Sequence, residues 1–148
     1  MFSRQILGVS SFAALLLLLP PSPFSNEARA QSCDMANYSH NGSLMTVHAC
    51  DDGRLTIEYS EPKGSLARHG VRPGTLLMQG RAWDSGGPFR RVNGTAYLFK
   101  KGCRPSAYKV EGYWMDSGRL ELSGVAPVRK NGCRVTGKRQ DSLVFNGR

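Results

Sequence analysis

The side chains of this sequence that are best suited to bind a ligand are basic residues next to aromatic residues. Arginine and lysine attract anionic groups, and an aromatic ring beside them stacks on bases, so the combination is typical of proteins that follow a phosphate backbone. The doublets Arg90-Arg91 and Lys100-Lys101 each adjoin a phenylalanine. Further basic residues are Arg104, Arg129-Lys130 and Lys138-Arg139, and further aromatic residues are Tyr97, Tyr108, Tyr113 and Trp114. These residues are candidates for a binding surface, although Tyr97, Phe99 and Tyr108 have strand spacing and would serve equally as core residues.

The net charge favours the same kind of partner. The whole chain has a formal charge of +9 at neutral pH. Such a field attracts anionic ligands, including lipopolysaccharide, acidic glycans, anionic lipid headgroups and nucleic acid. A charge of this size also serves simply to keep a small protein soluble, so it indicates a class of partner and does not identify one.

No pattern typical of catalysis or of a metal site occurs in the sequence. His40, His48 and His69 lie outside any recognisable nucleophile or metal motif. The adjacent carboxylates Asp51-Asp52 precede a glycine, which favours a tight turn over acid–base chemistry. We therefore expect a protein that acts by binding, is not an enzyme, and needs neither a metal nor another cofactor.

The first thirty residues have the pattern of a cleaved signal peptide. Arg4 supplies a positive start, residues 6–19 form an apolar run, and Ala28-Arg29-Ala30 frames a cleavage site. The apolar run is shorter than the roughly 20 residues that span a membrane. We expect a single domain over residues 31–148 with a charge of about +8, no transmembrane span, and a periplasmic or secreted location. An exported protein seldom needs to bind nucleic acid, so nucleic acid is the least expected of these anionic partners.

The four cysteines, Cys33, Cys50, Cys103 and Cys133, all follow the leader. An even number in an exported chain indicates disulfides, for which three connectivities are possible. We expect Cys33–Cys50 and Cys103–Cys133, because each pair brackets one local stretch of strand and turn. Zinc is the alternative, but zinc sites usually contain cysteines only a few positions apart.

Short strands separated by turns predict an all-β domain that positions these residues. Apolar residues alternate over 44–49 and 55–59, and Asp51-Asp52-Gly53 between them predicts a hairpin. Residues 62–74 are expected to form a loop with at most one helical turn, and residues 83–88 a flexible turn. The other predicted strands cover residues 75–79, 95–100, 108–114, 120–122, 133–135 and 143–145. About eight short strands predict a small antiparallel barrel or a sandwich.

Two segments resemble the bacterial inhibitors of C-type lysozyme, which are small exported β-barrels. Residues 50–57, Cys-Asp-Asp-Gly-Arg-Leu-Thr-Ile, resemble the family's opening hairpin, whose first strand ends in Cys-Asp before Leu-Thr-Val. Residues 94–102, continuing to Tyr108-Lys109, are similar to a later strand of the family and its Lys-Gly turn.

In that family, a serine of a Ser-Gly-x-x-Tyr motif and a nearby lysine enter the lysozyme cleft. The resemblance implies that Asn93, Gly94 and Tyr97 take the place of the motif and that Lys101 takes the place of the lysine. Asn93 stands where the family has serine. The expected function is thus inhibition of a host lysozyme, and the alternative is a cationic module for anionic envelope ligands.

A second resemblance covers most of residues 31–148. The run Tyr38-Ser39-His40-Asn41-Gly42-Ser43-Leu44-Met45, with Gly-Thr-Leu-Leu at 74–77 and Gly-Thr-Ala-Tyr at 94–97, is similar to a group of small uncharacterised exported bacterial domains. This likeness implies a β fold and no particular activity.

Overall fold

Eight antiparallel strands follow one another in chain order around a closed barrel in the computed structural model, which describes residues 31–148. The signal peptide expected over residues 1–30 lies outside the described residues. The strands are β1 (Cys33–His40), β2 (Ser43–Cys50), β3 (Arg54–Glu61), β4 (Leu76–Asp84), β5 (Phe89–Leu98), β6 (Ser106–Met115), β7 (Arg119–Val128) and β8 (Gly137–Gly147). A one-turn helix, α1 (Gly64–Ala67), lies between β3 and β4. The all-β prediction is confirmed, and the architecture is the barrel and not the sandwich.

Alternating apolar side chains fill the interior of the barrel. Successive side chains of a strand point to opposite faces, so one face of each strand lines the core. Met45 and Val47 of β2 and Leu55 and Ile57 of β3 are buried, which confirms the predicted hairpin. Phe145 of β8 is fully buried as well. The predicted loop with one helical turn is also confirmed, since α1 lies within residues 62–75.

The up-and-down order gives the barrel two ends of different character. We call one of them the loop end, which carries the connections 41–42, 62–75, 99–105 and 129–136. The other is the turn end, which carries the short connections 51–53, 85–88 and 116–118. The barrel closes through β1 and β8, which pair only at Tyr38 with Gly147 and at Ser39 with Asn146.

Both disulfides join the cysteines that the sequence analysis paired. Cys33 and Cys50 face each other across β1 and β2 at the turn end. Cys103 and Cys133 join two connections of the loop end, with their Cα atoms 5.4 Å apart. The second disulfide therefore ties one loop to another across the barrel rim.

Four details of the predicted strands are wrong. The strand predicted over 95–100 ends at Leu98, so Phe99 and Lys100 lie in the loop after β5. Residues 133–135 are not a strand, because Cys133 lies in an exposed loop and Val135 is 50% exposed. The first strand, β1, was not predicted, because its first half is exposed and lacks apolar alternation. The turn expected from residue 83 begins two residues later, since Trp83 and Asp84 end β4.

Candidate functional site at the loop end

The connections of the loop end contain basic residues and no carboxylate. Nine lysine and arginine residues lie in them: Lys63, Arg68, Arg72, Lys100, Lys101, Arg104, Arg129, Lys130 and Arg134. The connections of the turn end have the opposite composition, with Asp51, Asp52 and Asp116 and no basic residue. The other nine lysine and arginine residues of 31–148 are balanced by ten carboxylates, so the net positive charge of this part of the chain lies at one end of the barrel, a surface that we call the cationic rim.

Hydrogen bonds and a disulfide hold two loops of the cationic rim together. The Lys100 ammonium donates to the backbone carbonyl oxygens of Arg129 and Lys130, each at 2.7 Å. The Arg129 guanidinium donates to the carbonyl oxygens of Arg104 at 2.8 Å and of Leu98 at 3.2 Å. These acceptors are neutral, so the two cations are fixed in position while their charge is not compensated by a carboxylate.

The third long loop, residues 62–75, is anchored by its apolar residues. Val71 is buried in the core, and Leu66 packs against it. The backbone N–H of Lys63 donates to the Ser43 hydroxyl at 3.0 Å, and that of Gly74 donates to the Tyr59 carbonyl at 2.7 Å. The basic side chains of this loop are thus presented to solvent from a fixed backbone.

The carboxylates of the described residues form their ion pairs elsewhere. Residues 31–148 contain four such pairs: His48 with Glu58, Arg54 with Asp52, Arg119 with Glu121 and Arg139 with Asp141. None includes one of the nine basic residues of the rim. A negatively charged ligand would therefore meet cations that do not first have to break an ion pair.

Titratable groups inside the barrel, below the loop end, have shifted pKa values. The Tyr108 hydroxyl donates to Asp141 Oδ2 at 2.6 Å, and burial together with this carboxylate raises the pKa of Tyr108. Burial raises the pKa of Tyr59 to about 12. Burial lowers the pKa of His40, whose ring stacks on Phe145 with centroids 4.6 Å apart. Neutral forms of all three side chains thus fit the apolar interior.

The structure separates the two basic doublets that the sequence analysis singled out. Lys100 and Lys101 lie on the cationic rim, whereas Arg90 and Arg91 begin β5 at the turn end. Nine residues of extended chain place the doublets about 30 Å apart. The guanidinium carbons of the two arginines lie 5.7 Å from the Trp114 ring centroid and 5.8 Å from that of Tyr113, respectively. A compact ligand could not contact both doublets.

The residues implied by the lysozyme-inhibitor resemblance lie along β5. Asn93 and Tyr97 share the outer face of the strand, and the Tyr97 hydroxyl accepts a hydrogen bond from Gln79 Nε2 at 3.1 Å. Gly94 faces inward, where an added Cβ would lie 2.5 Å from the Met78 methyl group. Lys101 follows in the loop and is exposed. The structure thus orders these residues from the middle of the barrel wall to the rim.

Sequence reasoning did not select four residues of the cationic rim: Lys63, Arg68, Arg72 and Arg134. They are isolated in sequence, and only the doublets and their neighbours stood out. The available signal was topology, because alternate connections of an up-and-down barrel lie at the same end.

The described part of the chain contains no cluster of three or more His, Cys, Asp or Glu side chains arranged to hold a metal ion. No helix within residues 31–148 is long and apolar enough to cross a membrane. Comparison with known proteins found no matching family model, no similar curated protein and no similar solved structure.

Proposed function

We propose that this protein is an exported binding protein whose cationic rim takes polyanionic ligands, such as acidic glycans or the headgroups of anionic lipids. The observation that carries the proposal is the presence of nine lysine and arginine residues, and no carboxylate, in the four connections of the loop end. Its action is binding without covalent chemistry.

The arrangement suits an extended ligand with repeated negative groups. The cations are spread over three loops, so one small anion would meet only a few of them. A polyanion neutralises many together, and a field of one sign also speeds its encounter with the protein. The fixed positions of Lys100 and Arg129 reduce the ordering that binding requires. The two disulfides support a periplasmic or secreted location, because such bonds persist in oxidising compartments.

Heparin, a soluble sulfated glycan, and vesicles containing phosphatidylglycerol test the proposal. The purified protein is expected to bind both, and to bind vesicles of phosphatidylcholine alone much more weakly. The affinity should fall steeply as salt rises, because screening shortens the reach of exposed charges. Affinity that is independent of salt would contradict electrostatic binding at the rim.

Matched charge reversals separate the rim from the overall charge. Lys101→Glu with Arg134→Glu reverses two exposed rim cations, and Arg91→Glu with Arg148→Glu makes the same change in net charge outside the rim. The rim variant should lose about tenfold or more in heparin affinity, corresponding to roughly 1.4 kcal/mol. The control should lose much less. Equal losses would show that net charge alone, and not the rim, determines binding.

A second candidate function is inhibition of a C-type lysozyme. The observation that favours it is the exposed Lys101 on a disulfide-anchored loop that follows Asn93 and Tyr97 on one strand. Lysis of bacterial cell walls should be inhibited by the protein and less so by Lys101→Ala. Since a basic lysozyme is repelled by the protein's charge, its affinity should rise with salt, opposite to polyanion binding. Undiminished lysis at micromolar excess of the protein would exclude this candidate.

A further inference from the structure

The outer face of the barrel carries an open groove separate from the cationic rim. Two adjoining depressions, of about 460 Å³ and about 810 Å³, cross strands β4 to β8 and share Asn93, Glu111 and Ser123. Volumes of this size are typical of sites for small molecules or segments of a chain. We call the two depressions together the outer groove.

Inward-facing glycines allow adjacent strands to approach closely behind the outer groove. Added Cβ atoms at Gly80, Gly94, Gly112 and Gly124 would lie 2.0, 2.4, 1.9 and 2.1 Å from a backbone oxygen of a neighbouring strand. Only a residue without a side chain permits such close approach between adjacent strands. These four glycines occupy four successive strands, β4 to β7, so the close approach continues across the wall.

The groove is larger where two strands part. The ladder between β6 and β7 stops at the pair Val110 and Gly124. Beyond it, residues 106–109 pair only with β5, and residues 125–128 pair only with β8. The resulting cleft is lined by Val125 and Pro127 and is continuous with the outer groove.

Two aromatic rings stand at the end of the outer groove nearest the turn end. Trp83 and Tyr113 are each 41% exposed, and they flank Arg91 on neighbouring strands. Two strand spacings place them about 10 Å apart. Phe89 packs edge-on against Tyr113, with centroids 4.8 Å apart, so the tyrosine ring is held in position without a ligand.

A row of polar side chains forms the middle of the groove. Asn93, Glu111, Ser123 and Ser142 are adjacent across β5 to β8 on the outer face. All four are exposed, and none makes a side-chain hydrogen bond within residues 31–148. An amide, a carboxylate and two hydroxyls supply both donors and acceptors.

The mixed charge of the groove distinguishes it from the rim. Glu111 and Glu121 offset two of the three positive charges among its lining residues, which are Arg91, Lys109 and Lys138. A polyanion gains little here, whereas a ligand with many hydroxyl groups and apolar C–H faces matches both the polar row and the rings. Saccharide chains have this combination.

We propose that the outer groove binds an extended, uncharged saccharide chain. The C–H face of one sugar ring stacks on Trp83, and that of a second stacks on Tyr113 in place of the Arg91 guanidinium that lies over this ring. The hydroxyls exchange hydrogen bonds with Asn93, Glu111 and Ser123. The groove spans five strands, about 19 Å, which accommodates several sugar units. This site is independent of polyanion binding at the cationic rim.

Titration with neutral oligosaccharides tests the proposal. Hexamers of β-linked glucose, α-linked glucose and N-acetylglucosamine are added to the purified protein and followed by calorimetry. The chain has two tryptophans, so a Trp114→Phe variant reports the fluorescence of Trp83 alone. At least one hexamer should bind and change this fluorescence, with an affinity that high salt does not weaken. Binding of none of the three would overturn the proposal.

Variants then locate the site. Trp83→Ala and Asn93→Ala should each weaken saccharide binding about tenfold, while Trp83→Tyr, which keeps a ring, should restore most of the affinity. Met35→Ala removes another exposed apolar side chain, 71% exposed and outside the groove, and should have no effect. The rim variant Lys101→Glu with Arg134→Glu should keep saccharide binding, and Trp83→Ala should keep heparin binding. Saccharide affinity unchanged by Trp83→Ala and Asn93→Ala would refute the assignment of the groove, whatever the outcome at the rim.

Discussion

Removing each disulfide in turn should separate the stability of the barrel from the organisation of the cationic rim. The Cys103–Cys133 and Cys33–Cys50 bonds close segments with sequence separations of 30 and 17 residues. The chain-entropy relation gives about 3.6 kcal/mol for the longer segment and about 3.1 kcal/mol for the shorter at 25 °C. Replacement of either pair by alanine should therefore lower the free energy of unfolding by similar amounts.

The effects on ligand binding should differ. The Cys103–Cys133 bond joins two loops that carry six of the nine rim cations, whereas the Cys33–Cys50 bond lies at the turn end. Without the Cys103–Cys133 bond, the two loops are held by the hydrogen bonds of Lys100 and Arg129. Side chains that are less fixed before binding cost about 0.5–1.5 kcal/mol each to immobilise. We expect heparin affinity to fall about tenfold when Cys103 and Cys133 are replaced, and to stay unchanged when Cys33 and Cys50 are replaced.

Urea unfolding followed by circular dichroism measures the stabilities, and heparin titration at one low salt concentration measures the affinities. Both double variants must be titrated below their unfolding transitions, so that only folded protein is compared. If the Cys33–Cys50 variant loses as much heparin affinity as the other, or if the Cys103–Cys133 variant loses none, the disulfide does not organise the rim.

Packing and charge at individual positions determine the stability expected of single variants. In urea unfolding, Gly94→Ala should lower the free energy of unfolding by at least about 2 kcal/mol, because the added Cβ would meet backbone atoms. Gly87→Ala is the control, since its Cβ would have no atom within 4 Å, and should change the free energy by no more than about 0.5 kcal/mol. Phe145→Ala should cost about 3–5 kcal/mol in the same assay, since the ring is fully buried. The pKa of His40 is lowered in the folded state, so the unfolded chain binds the proton more tightly. This contribution to stability is present above pH 6.5 and is lost as pH falls. In thermal unfolding, the stability of His40→Gln should therefore decline less than that of the unmodified protein between about pH 7.5 and pH 5. Lys101→Glu should raise stability by about 0.3 kcal/mol at low salt by relieving repulsion, and high salt should abolish the gain.

The barrel was predictable where burial leaves a pattern of alternation. Met45, Val47, Leu55 and Ile57 alternate with polar residues because one side of each strand faces the core. The first half of β1 is exposed on both faces, so burial imposes no alternation on it. The sequence signal for β1 was instead the turn that follows it. Asn41-Gly42 adopts φ values of 48° and 79°, as a tight hairpin turn between β1 and β2 requires.

The error at residues 133–135 has a different cause. Val135 and Cys133 have strand-like spacing, but the disulfide to Cys103 holds this segment as a loop on the rim. A cross-link to a distant segment is not visible in local periodicity. The same pairing, read together with the strand order, would have shown that the two loops share one end of the barrel.

The total charge was evident from composition, but its location at one end of the barrel was not. The cationic rim assembles from connections that are separated in sequence by whole hairpins, and closure of the barrel brings them to one end. The outer groove likewise combines Trp83, Asn93 and Tyr113 from three strands. Register, which sequence alone did not establish, decides that these side chains are neighbours.

The distribution of carboxylates is the strongest support for the proposed role of the cationic rim in binding anions. Like charges gathered at one end repel one another and oppose folding, so stability alone would favour acidic residues among them. The chain does place acidic residues in connections, at Asp51, Asp52 and Asp116, but all of these lie at the turn end. The loop end instead relies on a disulfide and on neutral carbonyl acceptors to hold its cations. Proteins depart from the locally stabilising pattern chiefly at functional sites and compensate for it elsewhere, and this is the pattern that the proposed anion-binding rim shows.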